Sequence, residues 1–136
     1  MEYYDVLNVN PMTEQKAREC NPQVLAFVGD AVHTLFIRTK LCESSTAKSN
    51  ALHKMTSLHV KASAQAEKIE RIFDRLSEDE QYIYKRGRNA HTGATAKNAT
   101  VVEYRKASGF ETLLGYLYLT GKYERLKEIL DFSEEE

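Results

Sequence analysis

The chain has 136 residues, 42% hydrophobic and 29% charged, with 2 Pro, 6 Gly, 2 Cys and a formal net charge of −1. That length fits a single domain over residues 1–136 with a sizeable core, and the scarcity of turn residues favours an all-α fold. No run is apolar enough to span a bilayer, "MEYYDVLNVN" lacks a secretion signal's basic and apolar regions, and Cys20 and Cys42 have no CxxC or zinc-type spacing; the expectation is a cytoplasmic protein with free thiols and no membrane partner.

In chain order, Pro11 and Thr13 mark the start of a short amphipathic helix, "TEQKAREC". Asn21-Pro22 is a cap and first-turn pair opening a helix to about Leu41, with a core stripe of Leu25, Val28, Val32, Leu35 and Phe36. After a polar linker, one long helix is expected from about Ala47 to Phe73, carrying Leu52, Met55, Leu58 or His59, Ala62, Ala66 and Ile69. Ser77 with Glu80 reads as a capping box opening a helix through "QYIYKRGRNA". "HTGATAKN" is a loop. "ATVVEYRKAS" resumes helix, Gly109 interrupts it, and "FETLLGYLYLTG" continues to Gly121. "KYERLKEILDF" closes the fold, and the acidic tail is expected to fray. No strand pattern, repeat or second domain is visible.

Charge is unevenly distributed along the chain. Lys85 to Lys106 carries a net +5, whereas Glu124 to Glu136 carries −4. The basic stretch suits phosphate contacts, although a solvated charged turn would read the same way.

Two lone carboxylates stand out. Asp30 lies inside the apolar "NPQVLAFVGDAVHTLFI", on a face with Ala26, His33 and Thr34. Glu111 precedes the apolar "TLLGYLYL". Each has a plain reading: Asp30 points to solvent, and Glu111 complements a helix dipole. Together, two oxygen ligands on helices that must pack could hold Mg²⁺, which keeps several waters and needs few protein ligands. Such an ion would support phosphodiester cleavage. The residues alone leave both readings open.

At "LAFVGDAV" (25–32), "RGRNAHTGATAKN" (86–98) and "YRKASGFETLLGYLYLTGKYERL" (104–126) the chain resembles the ribonuclease III catalytic-domain family. The likeness is greatest to its short form, Mini-ribonuclease III, which lacks a separate double-stranded-RNA-binding domain. The resemblance runs from about Asn21 to Leu130. It implies an all-α ribonuclease III fold, with Asp30 and Glu111 as catalytic and metal-binding residues. Mg²⁺ is the implied cofactor, with Mn²⁺ as a substitute. Larger relatives carry further acids where this chain has Ala26 and Ser108, an absence that fits the short form. The resemblance also offers Glu67, on the long helix, as a counterpart of another family acid, but the preferred reading is a solvated helix residue.

The resemblance further implies a homodimer cutting each strand of a double-stranded RNA to leave 5′-phosphate and 3′-hydroxyl ends. For the short form the implied substrate is a precursor of large-subunit ribosomal RNA. Arg86, Arg88, Lys97 and Arg105 are then the expected RNA-binding cations, with Asn89 and Asn98 as hydrogen-bonding helpers. His91 could touch RNA, and His33 could tune the site or merely pack. His53 and His59 read as surface or half-buried residues. Tyr116 and Tyr118 read as core or dimer interface, and Gly115 as a point of close helix packing. The rival reading, raised by Ala26 and Ser108, is an RNA-binding protein that keeps the fold without catalysis. A helical interaction module with an incidental basic loop is a third.

Overall fold

Side-chain caps mark where four of the described helices begin. The computed structural model describes residues 10–90 and 100–135. The Thr13 hydroxyl accepts from the Lys16 amide to start α1 (Glu14–Glu19), and the Asn21 side chain accepts from the Gln23 amide to start α2 (Pro22–Ser44). Helices α3 (Ser49–Val60) and α4 (Ala62–Ile72) follow, then a 3₁₀ turn, Phe73–Arg75. Ser77 and Glu80 form the expected capping box at the head of α5 (Glu78–Asn89). Thr100 and Glu103 form a second one at the head of α6 (Val101–Leu119), and Gly121, at φ 74°, turns the chain into α7 (Tyr123–Ser133). Among the described residues there is no strand, so the fold is all-α.

Helix α6 is the hub, packing against α2, α4 and α5. Phe110, Leu113, Leu114, Tyr116 and Leu117 are all buried, on several sides of the helix. Each such aliphatic or aromatic side chain contributes about 1.5–3 kcal/mol through removal from water. Ile69 and Ile72 of α4, Ile83 and Tyr84 of α5, and Leu126 and Ile129 of α7 complete the core around it.

Four expectations need correcting. The buried stripe of α2 is Leu25, Gly29, His33, Ile37 and Leu41, while Leu35 is 55% exposed. A search for apolar side chains passes over Gly29 and His33; Leu25 is buried as expected, and Val32 and Phe36 are partly buried against the core beside this stripe. The long helix from Ala47 is two helices, because Lys61 adopts an extended conformation (ψ 156°) between α3 and α4. Gly109 does not interrupt α6; it lies against the Tyr84 ring, where a Cβ would come within 2.7 Å. Finally, Glu134 and Glu135 are not frayed. Glu134 pairs with Lys68 at 2.8 Å and Glu135 with Arg75 at 2.7 Å.

Candidate active site

The crossing of α2 and α6 brings the two lone acids together. Gly29 of α2 lies against the backbone of Glu111, and Gly115 of α6 lies against the backbone of Leu25. With no Cβ at either glycine, α2 and α6 approach almost backbone to backbone. Asp30, one residue after Gly29, and Glu111, one turn before Gly115, therefore project into the same cleft. Glu111 sits in the middle of α6, so the helix-dipole reading of this residue falls.

The cleft has a volume of about 570 Å³. Its walls come from the first half of α2 (Gln23, Ala26, Phe27, Asp30), the α3–α4 break (Val60, Lys61, Gln65), the last turn of α5 (Gly87, Ala90) and α6 (Tyr104, Ser108, Glu111). Ala26 and Ser108 thus line the same cavity as the two carboxylates. The small side chains stand beside the pair, not elsewhere on the surface.

Electrostatics mark Glu111 as unusual. Burial, then hydrogen bonding and like charge from Asp30, push its carboxyl up from 4.5 to about 8, against a smaller opposing effect of the Gln65 amide. Two carboxyl groups held this closely repel when both are ionised, and a bound cation relieves that cost. The donor set is two hard oxygen ligands in one cleft, which suits Mg²⁺ with the balance of its coordination drawn from water and substrate. Among the described residues no group of three His, Cys, Asp or Glu side chains gathers to hold a metal, so this site offers the pair. Asp30 and Glu111 fit the ion as its protein ligands.

His33 does not reach the cleft. It is fully buried behind it, edge-on to Phe110 at a centroid distance of 5.4 Å, with Nε2 3.5 Å from Lys68 Nζ. Burial, then the positive charges of Lys68 and His59, push its pKa down to about 3, so it is a neutral packing residue. Glu67 is exposed on the far side of α4, in a charged groove with Glu70, Glu103 and Lys106.

The basic residues divide. Arg86 is half-buried and donates through Nη1 to the Arg18 carbonyl at 2.6 Å, a contact that ties α5 to α1. Arg88 lies over the Tyr84 ring at 5.6 Å and donates to Asn89 Oδ1 at 3.2 Å, on the helical turn that supplies Gly87 and Ala90 to the cleft. Arg105 is exposed, next to the cleft residue Tyr104. Lys97, Asn98 and His91 lie outside the described residues.

Two cleft residues had no signal in the sequence. Lys61 places a cation at the mouth of the cavity, and Gln65 donates to Glu111 Oε2 at 3.3 Å. Both depend on the break at residue 61, which no Gly or Pro announces.

A family-wide profile described as the ribonuclease III domain matches residues 23–122, spanning every wall of the cleft. The chain belongs to the ribonuclease III domain family. It is 51% identical over 126 residues to the Mini-ribonuclease 3 of Thermoanaerobacter sp. (strain X514), covering 93% of this chain and 89% of that protein. It is 44% identical over 117 residues to the Mini-ribonuclease 3 of Enterococcus faecalis (strain ATCC 700802 / V583), covering 85% and 89%. A crystal structure of a Fusobacterium nucleatum protein superposes with a TM-score of 0.76 at 32% identity, over 84% of this chain and 91% of that one. Membership makes the chain an endoribonuclease of the ribonuclease III type, on an all-α ribonuclease III fold.

Proposed function

We propose that this endoribonuclease is Mg²⁺-dependent, cleaves double-stranded RNA as a homodimer, and matures large-subunit ribosomal RNA precursors in the bacterial cytoplasm. The observation that carries the reading is the pairing of Asp30 and Glu111 in one cleft, whose wall residues Ala90 and Tyr104 adjoin Asn89 and Arg105 in the chain. Mg²⁺, when bound, supplies positive charge against the scissile phosphate and acidifies the attacking water. Asp30 and Glu111 hold that ion and fix its place between α2 and α6. The Arg88 and Arg105 side chains draw the phosphate backbone over the cleft, and the buried helix crossing keeps the two carboxylates from separating.

The dimer is supported by α2. Val24, Phe27 and Leu35, at 53%, 79% and 55% exposure, fall on one stripe of that helix with Ala31, and Phe27 also borders the cleft. A second copy on this stripe would set two clefts side by side, one for each strand of a duplex. Ala26 and Ser108 raise the alternative of a binder without catalysis, and the intact carboxylate pair argues against it.

The test is to incubate the protein with a structured RNA duplex in Mg²⁺, then in chelator. Cleavage that the chelator abolishes, leaving 5′-phosphate and 3′-hydroxyl ends, is expected. Binding with no cleavage in Mg²⁺ or Mn²⁺ would overturn the catalytic reading in favour of the binder.

A further inference from the structure

The strongest unexplained feature outside the carboxylate pair is the side chain of Gln65. It is 2% exposed, yet it lies on the wall of the cleft. Its Nε2 spends both hydrogens: one on the Val60 carbonyl at 2.7 Å, the other on Glu111 Oε2 at 3.3 Å. The Val60 carbonyl can only accept, which assigns the nitrogen to that side of the amide. Its Oε1 is buried and has no hydrogen-bond partner among the described residues.

A glutamine kept only for packing would be a poor choice here. An apolar side chain of similar length would fill the same space without burying an unpartnered oxygen. The geometry also explains the helix break. Extended Lys61 frees the Val60 carbonyl from continued helical bonding and starts α4 afresh, with the Gln65 backbone N–H donating to the Lys61 carbonyl at 3.1 Å. That step sets Gln65 opposite Glu111 while its amide is pinned from behind.

We propose that Gln65 is the positioning residue for Glu111, orienting its carboxylate toward the metal and coupling the α3–α4 break to the active site. This rests on the metal-binding role of Glu111 given above. A neutral donor does here what a further acid could not: it fixes one carboxylate oxygen without adding a third negative charge beside Asp30 and Glu111. With Ala26 and Ser108 contributing no carboxylate, the orientation of Glu111 carries more of the affinity for the ion. Hydrogen bonds to a metal-ligating carboxylate typically matter 10–100-fold in affinity or activity.

The test is Gln65→Met, compared with the parent, Glu111→Gln and the double variant. Mn²⁺ is titrated calorimetrically into each metal-free protein, thermal melting reports the fold, and duplex RNA cleavage is followed across Mg²⁺ concentration. Q65M is expected to melt within a few degrees of the parent and to bind Mn²⁺ about 10–100-fold more weakly. Its cleavage should need correspondingly more Mg²⁺, with the KM for RNA unchanged, and Q65M should add no further loss in the E111Q background. Parent-like Mn²⁺ affinity in a folded Q65M would overturn the proposal. So would failure of both Q65M and Gln65→Leu to fold while E111Q folds, since that assigns Gln65 to the core. If E111Q itself binds Mn²⁺ and cleaves like the parent, the site reading fails, whatever Gln65 does.

Discussion

Gly29 and Gly115 meet across the α2–α6 crossing, and the space a Cβ would need at each is filled by the other helix's backbone. The contact is reciprocal: Gly29 lies on Glu111, and Gly115 lies on Leu25 and Gly29. Because backbone atoms are the obstruction, no rotamer change can accommodate a methyl group. Gly29→Ala and Gly115→Ala should each push the helices apart, costing about 3 kcal/mol or more, at or beyond the upper end of ordinary overpacking. Urea denaturation reads the stability. A folded variant with parent-like stability would show that the crossing is looser than described.

Separating the helices must also separate the acids they carry. Asp30→Asn and Glu111→Gln leave the crossing intact and remove one charge each. Either should lower the cleavage rate by about a thousandfold, equivalent to ~4 kcal/mol in the barrier, since each removes half of the ion's protein ligands. Single-turnover cleavage of a duplex measures it. Parent-like rates in either variant would remove that residue from the catalytic pair.

The Glu111 carboxyl gives a pH dependence with a definite sign. Its folded pKa, about 8, lies above the unfolded value of 4.5. Below about pH 4.5 both states are protonated and the group contributes no pH dependence. Between 4.5 and 8 the unfolded carboxyl ionises while the folded one keeps its proton, so metal-free stability falls as pH rises, and it levels off above 8. Glu111→Gln cannot ionise. It should melt near the parent at pH 4.5 and above it at pH 8.5, without metal. Mg²⁺ should narrow the gap at pH 8.5, because it favours the ionised pair. A gap independent of pH would refute the account.

Much of this arrangement was legible in the sequence. The caps at Thr13, Asn21 and Ser77 announced three helix starts, because a single side chain and two or three residues of spacing suffice to make each one. The two acids were visible as polar residues in apolar surroundings. What escaped were features made by tertiary contact. The break at Lys61 has no helix-breaking residue, and its effect appears only where Gln65 meets Val60 and Glu111. The buried face of α2 was only partly visible, through Leu25, Val32 and Phe36, because glycine and histidine occupy two of its five fully buried positions. The tail was misjudged because charge alone cannot show that Lys68, sunk among α2, α3 and α4, awaits an acid from beyond α7.

That Lys68–Glu134 pair makes its own prediction. Lys68 is buried, its pKa is lowered chiefly by burial, and the Glu134 hydrogen bond opposes that shift. It also donates to the His59 carbonyl at 3.1 Å, and His59 Nδ1 lies 3.3 Å from the same glutamate. Glu134→Gln leaves the ammonium buried with weaker compensation. The loss should be about 2–3 kcal/mol, below that for a fully buried pair because Glu134 retains some exposure. Lys68→Met with Glu134→Gln should recover much of it, since no uncompensated charge remains. Chemical denaturation of the two variants decides this, and a double variant no better than the single would refute it.

The RNA-facing residues are best separated by salt. Arg105 is exposed beside the cleft residue Tyr104 and Arg88 lies over the Tyr84 ring, whereas Arg86 spends a guanidinium hydrogen on the Arg18 carbonyl and joins α5 to α1. Neutralising Arg88 or Arg105 to Gln should weaken duplex binding across sequences and reduce the slope of log affinity against log salt by about one each. Arg86→Gln should instead lower thermal stability, because the Arg18 carbonyl loses a charge-assisted donor. Binding measured at several salt concentrations, beside melting curves, distinguishes the two behaviours. A reduced slope in Arg86→Gln with unchanged melting would move Arg86 to the RNA-binding face. An unchanged slope in both other variants would place the duplex away from this rim of the cleft.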